Sequence, residues 1–444
     1  MKTNQSKTAM MLSFAQMWEF FSYFGVRTLL VLYMVDQLQY SDSKAFGVNA
    51  VFCSLVELGG IFGGVIADKI LGLRRSVILG ASLLAVSHLI LLLDVGIFIP
   101  MGLLVVGASL FSSNITALLA LLYKENDPKR ERGFTVFYMM QNLGALISTV
   151  ICGFVATRYG FKAAFAVASL GIILGNLMLF FYRGLIVDLG FMPKKECRPI
   201  SVLFVLFCVF FVGVICLFYE RAALTFLPWI GVGTLLYFAR KLLRDVRFPK
   251  EQLYQFFVYL GALLLFFAVE DQICSSLILF SERVIQRTIL GWTIPSSFIA
   301  SLNPVVILLF GTVMMRKKIQ MILPFLLAAF AFGILSIFCL AQIQFSVFGI
   351  MGVVVIISFA ELMVGPLVLS FASEVAAKGN PGMVMGMVPI AFSLAFQLSG
   401  GFSKMVALED SLIPLKVYGI GFGEVAILMI VGGCVLGFLK RRFA

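Results

Sequence analysis

Apolar residues fill this chain in long unbroken stretches, and polar residues gather in the short breaks between them. A bilayer span needs roughly 20 apolar residues. Fourteen stretches meet that length: 10–35, 46–67, 76–94, 97–123, 134–158, 162–183, 200–219, 222–240, 255–281, 294–315, 319–342, 346–371, 382–406 and 414–440. In lipid only helices of that length satisfy their own backbone, so the pattern predicts an all-α membrane protein built as a helical bundle. The breaks are too short to fold as water-soluble domains.

The seventh and eighth stretches stand apart. The segment "RPISVLFVLFCVFFVGVICLFY" is uniformly apolar, carries no buried charge and reads as facing lipid on most sides. Setting this pair aside leaves six spans before it and six after. The expected organisation is therefore an N-terminal six-helix bundle over 1–184, a linker with two additional helices over 185–250, and a C-terminal six-helix bundle over 251–444. Two halves of six suggest a transporter with internal repeats and a midplane site between them.

Composition supports lipid as the solvent, with 61% hydrophobic and 13% charged residues. The formal net charge of +12 raises nucleic acid as a partner, but the placement of the bases points elsewhere. With the N-terminus in the cytoplasm, one set of loops collects Lys69, Arg74 and Arg75, then Lys124, Lys129, Arg130 and Arg132, then Lys194, Lys195 and Arg198. The same side gains Arg240, Lys241, Arg244, Arg247 and Lys250, then Arg316, Lys317 and Lys318, and finally Lys440, Arg441 and Arg442. The other side holds few bases, such as Lys44, Arg158, Lys162 and Arg221. This bias sets topology and puts both termini inside. The first apolar run is too long for a signal-peptide core and lacks a small-residue cleavage site, so it is expected to be retained. The cysteines are scattered through apolar runs without metal spacing and read as small core residues. His88, alone in "AVSHLILLL", reads as a satisfied packing residue rather than a proton relay.

Charges inside the spans carry the functional signal. The stretch "FAQMWEFFSYFGVRTLLVLYM", residues 14–34, holds Glu19 and Arg27 in an otherwise apolar run. Each costs roughly 2.5–3.5 kcal/mol at a bilayer centre, so such groups face the bundle interior and are functional by default. The full set is Glu19, Arg27, Glu57, Glu270, Asp271 and Glu361, five acids against one base. Burial disfavours a lone carboxylate's charged form. A proton carrier needs such acids, and so does a site for a cationic substrate. Three structural readings stay open beside this one. Glu19 and Arg27 suit a packing device linked through polar neighbours, Glu270 or Asp271 suits a hydrated outer interface, and Asn142 and Asn303 suit interhelical hydrogen bonds.

Sequence motifs narrow the class. Between the second and third spans lies "GGVIADKILGLRR", where Gly63 and Gly64 allow close helix approach and Asp68 is placed to cap the next helix or pair with Arg74 or Arg75. It resembles the inter-helix loop motif of the major facilitator superfamily. Together with it, "RGFTVFYMMQNLGALIS", "SSLILFSERVIQRTILGWTIPSSFIASLNPVVI", "ELMVGPLVLSFASEVAAKGNPGMVMGM" and "MWEFFSYFGVRTLLVLYM" are similar to the proton-coupled oligopeptide transporter family, from the first span to the thirteenth. The resemblance implies the major facilitator fold, with 12 core helices in two bundles and an extra central pair as in bacterial members. It also implies roles residue by residue. Glu361 sits where members hold the peptide's amino group, and Asn142 and Asn303 where members hydrogen-bond the peptide backbone. Tyr23 and Arg27 match pocket residues of the first span, and Asp271 matches an acid that helps gate the outer side. Glu57 falls where members carry a pocket tyrosine.

The departures from the family are specific. The first-span motif E-x-x-E-R reads Gln16, Met17, Trp18, Glu19, Phe20 here, so one acid and the adjacent arginine are absent. In the fourth span a lysine–proline pair is replaced in "LFSSNI" by Ser112 and Ser113. The absent bases are the groups that would grip a peptide carboxylate.

The expected function is proton-coupled uptake of a di- or tripeptide or a similar amine-bearing solute by alternating access, with Glu361 holding the amine and Glu19, with Glu57 or Asp271, carrying the proton. The alternatives are a facilitator or exchanger for a cationic or carboxylate-free amine, not driven by protons, and a solute receptor that moves nothing. No GxxxxGK phosphate loop and no nucleophile–base pair or metal cluster appears, so neither ATP drive, enzymatic activity nor a cofactor is expected. The expected partners are the solute, protons and the lipid of a bacterial inner membrane, without nucleic acid, and the expected state is a monomer.

Overall fold

A computed structural model describes residues 5–93, 95–123, 127, 129–186, 189, 199–289, 291–314, 320–408 and 414–443. Lys124, Lys194, Lys195, Arg198, Arg316, Lys317 and Lys318, which enter the topology argument, lie outside the described residues. The helices are α1 (Gln5–Leu32), α2 (Asp42–Ile66), α3 (Leu73–Leu91), α4 (Phe98–Leu121), α5 (Lys129–Tyr159), α6 (Phe161–Phe181), α7 (Pro199–Phe218) and α8 (Glu220–Leu243). They continue with α9 (Lys250–Glu270), α10 (Ser276–Val284), α11 (Ser296–Ala300), α12 (Leu302–Met314), α13 (Ile322–Leu340), α14 (Val347–Ala377), α15 (Pro381–Met405) and α16 (Pro414–Phe443).

Every predicted stretch is helical over most of its described residues. Two of them are built from two helices each, α9 with α10 and α11 with α12, so the sixteen helices described correspond to the fourteen stretches. Among the described residues, twelve helical stretches are long and apolar enough to cross a membrane. Of the other two, α7 contributes the shorter apolar run Leu203–Phe218, and α1 carries Glu19 and Arg27 along its length. One feature departs from the all-α expectation. A two-stranded antiparallel ribbon, Thr288–Ile289 with Trp292–Thr293, joins α10 to α11 and turns through Gly291 at φ 81°. Two residues per strand are too few to leave a sequence signal.

The chain forms two compact units. The first comprises residues 1–29 and 55–219, and the second residues 30–54 and 220–444. In the first, α3 packs chiefly on α4, and Gly80 makes the approach possible, since a Cβ there would lie 2.7 Å from the Gly107 carbonyl oxygen. In the second, α13 packs chiefly on α16, and α9 on α15.

The additional helices do not stand apart as a pair. α7 lies on α4 in the first unit, where Phe210 and Val214 fill the space over Gly102. α8 lies on α15 in the second unit, with Leu394 against Gly231. Their outer faces are exposed and aromatic, with Phe204 and Phe207 on α7 and Phe226 and Trp229 on α8, as the uniform apolarity predicts.

Candidate functional site

In the first unit the charges of α1 have separate partners. Glu19 is buried, and its two oxygens face two different neighbours. Gln16 Nε2 donates to Oε2 at 3.0 Å, and Ser112 Oγ of α4 donates to Oε1 at 3.4 Å. Two of the four positions that depart from the resembled motifs, Gln16 and Ser112, therefore converge on Glu19. The hydrogen-bond partners of Glu19 are thus Gln16 and Ser112, with no direct bond to Arg27.

Arg27 lies two turns further along α1. Its guanidinium carbon stands 5.5 Å from the Phe24 ring centroid and 5.8 Å from that of Tyr23. Phe20 extends the same column, with its ring 5.8 Å from Phe24. An arginine held over aromatic faces gains a cation–π attraction of about 0.5–2 kcal/mol. Arg27 is also the charged group that bears on Glu57 of α2. Asn142 of α5 donates from Nδ2 to the Tyr138 carbonyl of its own helix at 3.0 Å, so this donor makes no interhelical bond.

His88 is a packing residue, as its surroundings in sequence suggest. Its ring nitrogens lie 2.6 Å from Ser22 Oγ and 2.8 Å from the Leu84 carbonyl oxygen. Of the cysteines, Cys53, Cys152, Cys274 and Cys339 are buried, but Cys208 and Cys434 are exposed and are not core residues.

The loop motif requires two corrections. Gly63 is a close-approach position, because a Cβ there would fall 1.7 Å from the Ser109 carbonyl oxygen, but Gly64 faces open space. The helix periodicity puts only one of two adjacent glycines on the α4 face. Asp68 does not cap α3. It sits exposed in a π-helical turn, Ala67–Leu71, and Gly72 at φ 80° starts α3 without a side-chain cap. Asp68 forms no ion pair with Arg74 or Arg75 among the described residues; Arg74 is half-buried and Arg75 exposed.

In the second unit Asn303 and Glu361 are direct partners. Asn303 Nδ2, from α12, donates to Glu361 Oε2, from α14, at 2.5 Å. The pair is interhelical, and both residues are half-buried. The α9–α10 break places the next group. α9 ends at Glu270, a 3-10 turn spans Asp271–Cys274, and Ser275 breaks the helical backbone at φ −123° and ψ −94°. Side chains of α15 satisfy the polar groups there. Ser399 Oγ donates to Asp271 Oδ2 at 2.5 Å, Gln272 Nε2 donates to Ser399 Oγ at 2.9 Å, and Ser403 Oγ donates to Gln272 Oε1 at 3.0 Å. Asp271 is 1% exposed, so it is no hydrated surface acid, whereas Glu270 is half-buried. A discontinuous helix with a buried acid at the break is the kind of element that holds coupling ions and substrate groups in transporters.

A further ion pair escapes sequence reading. Arg283, at the end of α10, donates to both oxygens of Asp42, at the start of α2, over 2.6 and 2.8 Å. The Leu408 backbone N–H adds a third donor to Asp42 at 3.0 Å. Deeper along the same faces, Ser54 Oγ lies 2.6 Å from Ser393 Oγ, and Gln397 Nε2 donates to Ser54 Oγ at 2.7 Å. The available signal was weak: an acid at one span's edge and a base at another's.

With the geometry set out, the chain can be compared with known proteins. A family model described as POT family (PTR2) matches residues 74–419. A dipeptide and tripeptide permease B of Xenorhabdus bovienii is 26% identical, over 98% of this chain and 95% of its own. One of Shigella dysenteriae is 28% identical, over 99% of this chain and 97% of its own. The structure of a POT family transporter in complex with 5-aminolevulinic acid superposes with a TM-score of 0.87 at 23% identity, covering 99% of this chain and 97% of the other.

Proposed function

The chain belongs to the POT family and has the major facilitator fold, and from that premise we propose that it takes up di- or tripeptides, or peptide-like amine-bearing solutes, coupled to protons. It is a multi-pass membrane transporter and not an enzyme. The observation that carries the reading is the Asn303–Glu361 pair, a carboxylate in the middle of an apolar helix held by a neutral amide. An incoming ammonium group can take the carboxylate, and Asn303 is then free to bond the peptide backbone. Asn142, Tyr23, Arg27 and Glu57 complete the proposed substrate set. Glu19 carries the proton, with Asp271 and Glu270 coupling the α9–α10 break to it.

The proposed working cycle is alternating access, with residues 1–184 and 251–444 as the rocking halves and 185–250 joining them. The proposed setting is a bacterial inner membrane with both termini in the cytoplasm, and the proposed state is a monomer, since one chain carries both halves. A second reading, a facilitator for a cationic or carboxylate-free amine, is favoured by one observation. The surroundings of Glu19 are neutral, with Gln16, Phe20 and Ser112 at positions where the resembling family carries charge.

Proteoliposomes with an imposed pH gradient test both. Inward acidification-driven accumulation of a dipeptide supports the first reading. Exchange of an amine without any response to the gradient supports the second and removes the first.

A further inference from the structure

Gln16 is fully buried in α1, one turn before Glu19. Its amide N–H group is used, in the 3.0 Å bond to Glu19 Oε2. Its carbonyl Oε1 is buried with no partner. A buried carbonyl without a donor is unfavourable, and here it sits on the amide that already touches an acid. Asn and Gln amides carry a donor and an acceptor on one rotor, so a half-turn about the last side-chain bond exchanges the two.

The charges around Glu19 do not supply an alternative partner. On α1 itself the other charges are Lys7, at the start of the helix, and Arg27, which is held over Phe24 and Tyr23. α2 brings Glu57, with Asp42 and Lys44 at its start. α3 brings His88, engaged by Ser22 and the Leu84 carbonyl, with Arg74 and Arg75 at its start. α4 contains no charged residue. α5, which approaches α1 through Gly144 at Met17 and Phe21, has its charges only near its ends, at Lys129, Arg130, Glu131, Arg132 and Arg158. α6, packed through Gly171 and Gly175 on Phe21 and Trp18, has only Lys162.

We propose that Gln16 is a positioning residue that follows the protonation state of Glu19, donating its N–H to the carboxylate and, after the amide turns, accepting the O–H of the carboxylic acid on Oε1. One proton enters and bonds to Oε2. No other group gains or loses one. Ser112 keeps its hydroxyl on Oε1 of Glu19 in both states. The turn breaks the N–H bond to Oε2, forms the O–H bond to the amide oxygen and moves the NH2 group to the position the carbonyl held, so one end of the amide lacks a partner in either state and the cradle accommodates a neutral acid without a cation to release. The inference rests on the proposed proton-carrying role of Glu19.

Infrared difference spectroscopy of the purified full chain, with glutamine labelled at the side-chain amide carbon, tests it. On acidification the carboxylic-acid C=O band of Glu19 should appear together with a shift of one labelled amide band, both at one midpoint. The amide shift should vanish in Gln16→Met and also in Glu19→Gln, so one misfolded variant does not stop the experiment. Gln16→Met should also reduce gradient-driven uptake at least about tenfold, the effect of a one-unit mismatch in proton affinity, while exchange without a gradient stays within about twofold. A Glu19 band that rises while the amide stays silent overturns the inference, even where gradient-driven uptake persists and the transport reading stands. The two bands moving together in a protein with no gradient-driven uptake supports the inference and removes proton-driven transport instead.

Discussion

Removing the charge of Asp42 should release the start of α2 from the end of α10. Asp42 is 4% exposed at its side chain and Arg283 30%, and two hydrogen bonds at 2.6 and 2.8 Å join them. An exposed pair contributes about 0–1 kcal/mol, and breaking a fully buried one costs about 3–5. This pair lies between those limits, so Asp42→Asn should cost about 2–3 kcal/mol, or about 30- to 160-fold in the equilibrium that closes this face. Asparagine keeps an oxygen for the Leu408 N–H, so the substitution isolates the charge. Asp42→Ala also orphans that N–H and should cost about 1–3 kcal/mol more. The assay is hydrogen–deuterium exchange in proteoliposomes, following residues 38–48 against α3 as an internal reference, with uptake measured in parallel. Exchange over 38–48 should accelerate by the stated factor in Asp42→Asn, and the swapped pair Asp42→Arg with Arg283→Asp should recover part of it. Unchanged exchange in Asp42→Asn, or a swapped pair no better than either single variant, would show that the ion pair does not hold this face.

Glu361→Gln should lower affinity for an amine-bearing substrate at least about thirty-fold, since truncating one partner of a buried charge pair costs about 2–5 kcal/mol; acetylating the substrate's amine should then cost the variant little, and losses that simply add in the double cycle would make Glu19 or Glu57 the anchor. Glu374→Gln, on the exposed end of α14 where Gln252 donates to Glu374, should leave affinity near wild type. Peptide amides should bind about as well as free peptides, because Phe20 and Ser112 offer no cation; a free-peptide advantage beyond about ten-fold, one charge-assisted bond, would assign the carboxylate to Arg27. Hydrogen bonds from Arg247 hold the Asp245 carboxyl, in the loop after α8, down to about 2 from its ordinary 3.8. Its contribution is present above the ordinary value and is lost only as pH falls through the lowered one, so mild acidification should leave the loop in place and Asp245→Asn should not move the midpoint of the uptake pH profile.

Much of the architecture was legible because lipid leaves a chain few options. Fourteen apolar stretches became helices, twelve of them long and apolar enough to cross a membrane among the described residues, and the acids that apolar runs could not explain, Glu19 and Glu361, acquired specific partners. What escaped was whatever depends on which helices meet. Nothing in "LFSSNI" says that Ser112 faces Glu19, and nothing near Asn303 says that its amide rests on Glu361, 58 residues away. The Gly63–Gly64 pair marks a contact but not which glycine makes it. The uniform apolarity of the additional helices agrees with their exposed outer faces but hid their separate attachments, because small residues such as Gly102 and Gly231 look alike whether they face lipid or a neighbour.

The attachment of α8 has a mechanical consequence. The helix follows α15 over most of its length. At one end Glu220 lies at Gly47, with the Lys404 ammonium beside it; midway Leu394 covers Gly231; at the other end Asn380 donates to Asp245 at 3.0 Å, just where α15 begins. α15 contains Pro389, whose missing N–H weakens the helix at that point, and α8 splints it. The opposite side of the splint, at Trp229 and Leu236, is exposed and apolar. A change in hydrocarbon thickness tilts a lipid-facing helix, and α15 must tilt with it, carrying Ser399 and Ser403 against Asp271 and Gln272. Acyl-chain length thereby becomes an input to the α9–α10 break, and the rate of transport should depend on the thickness of the membrane that holds the protein.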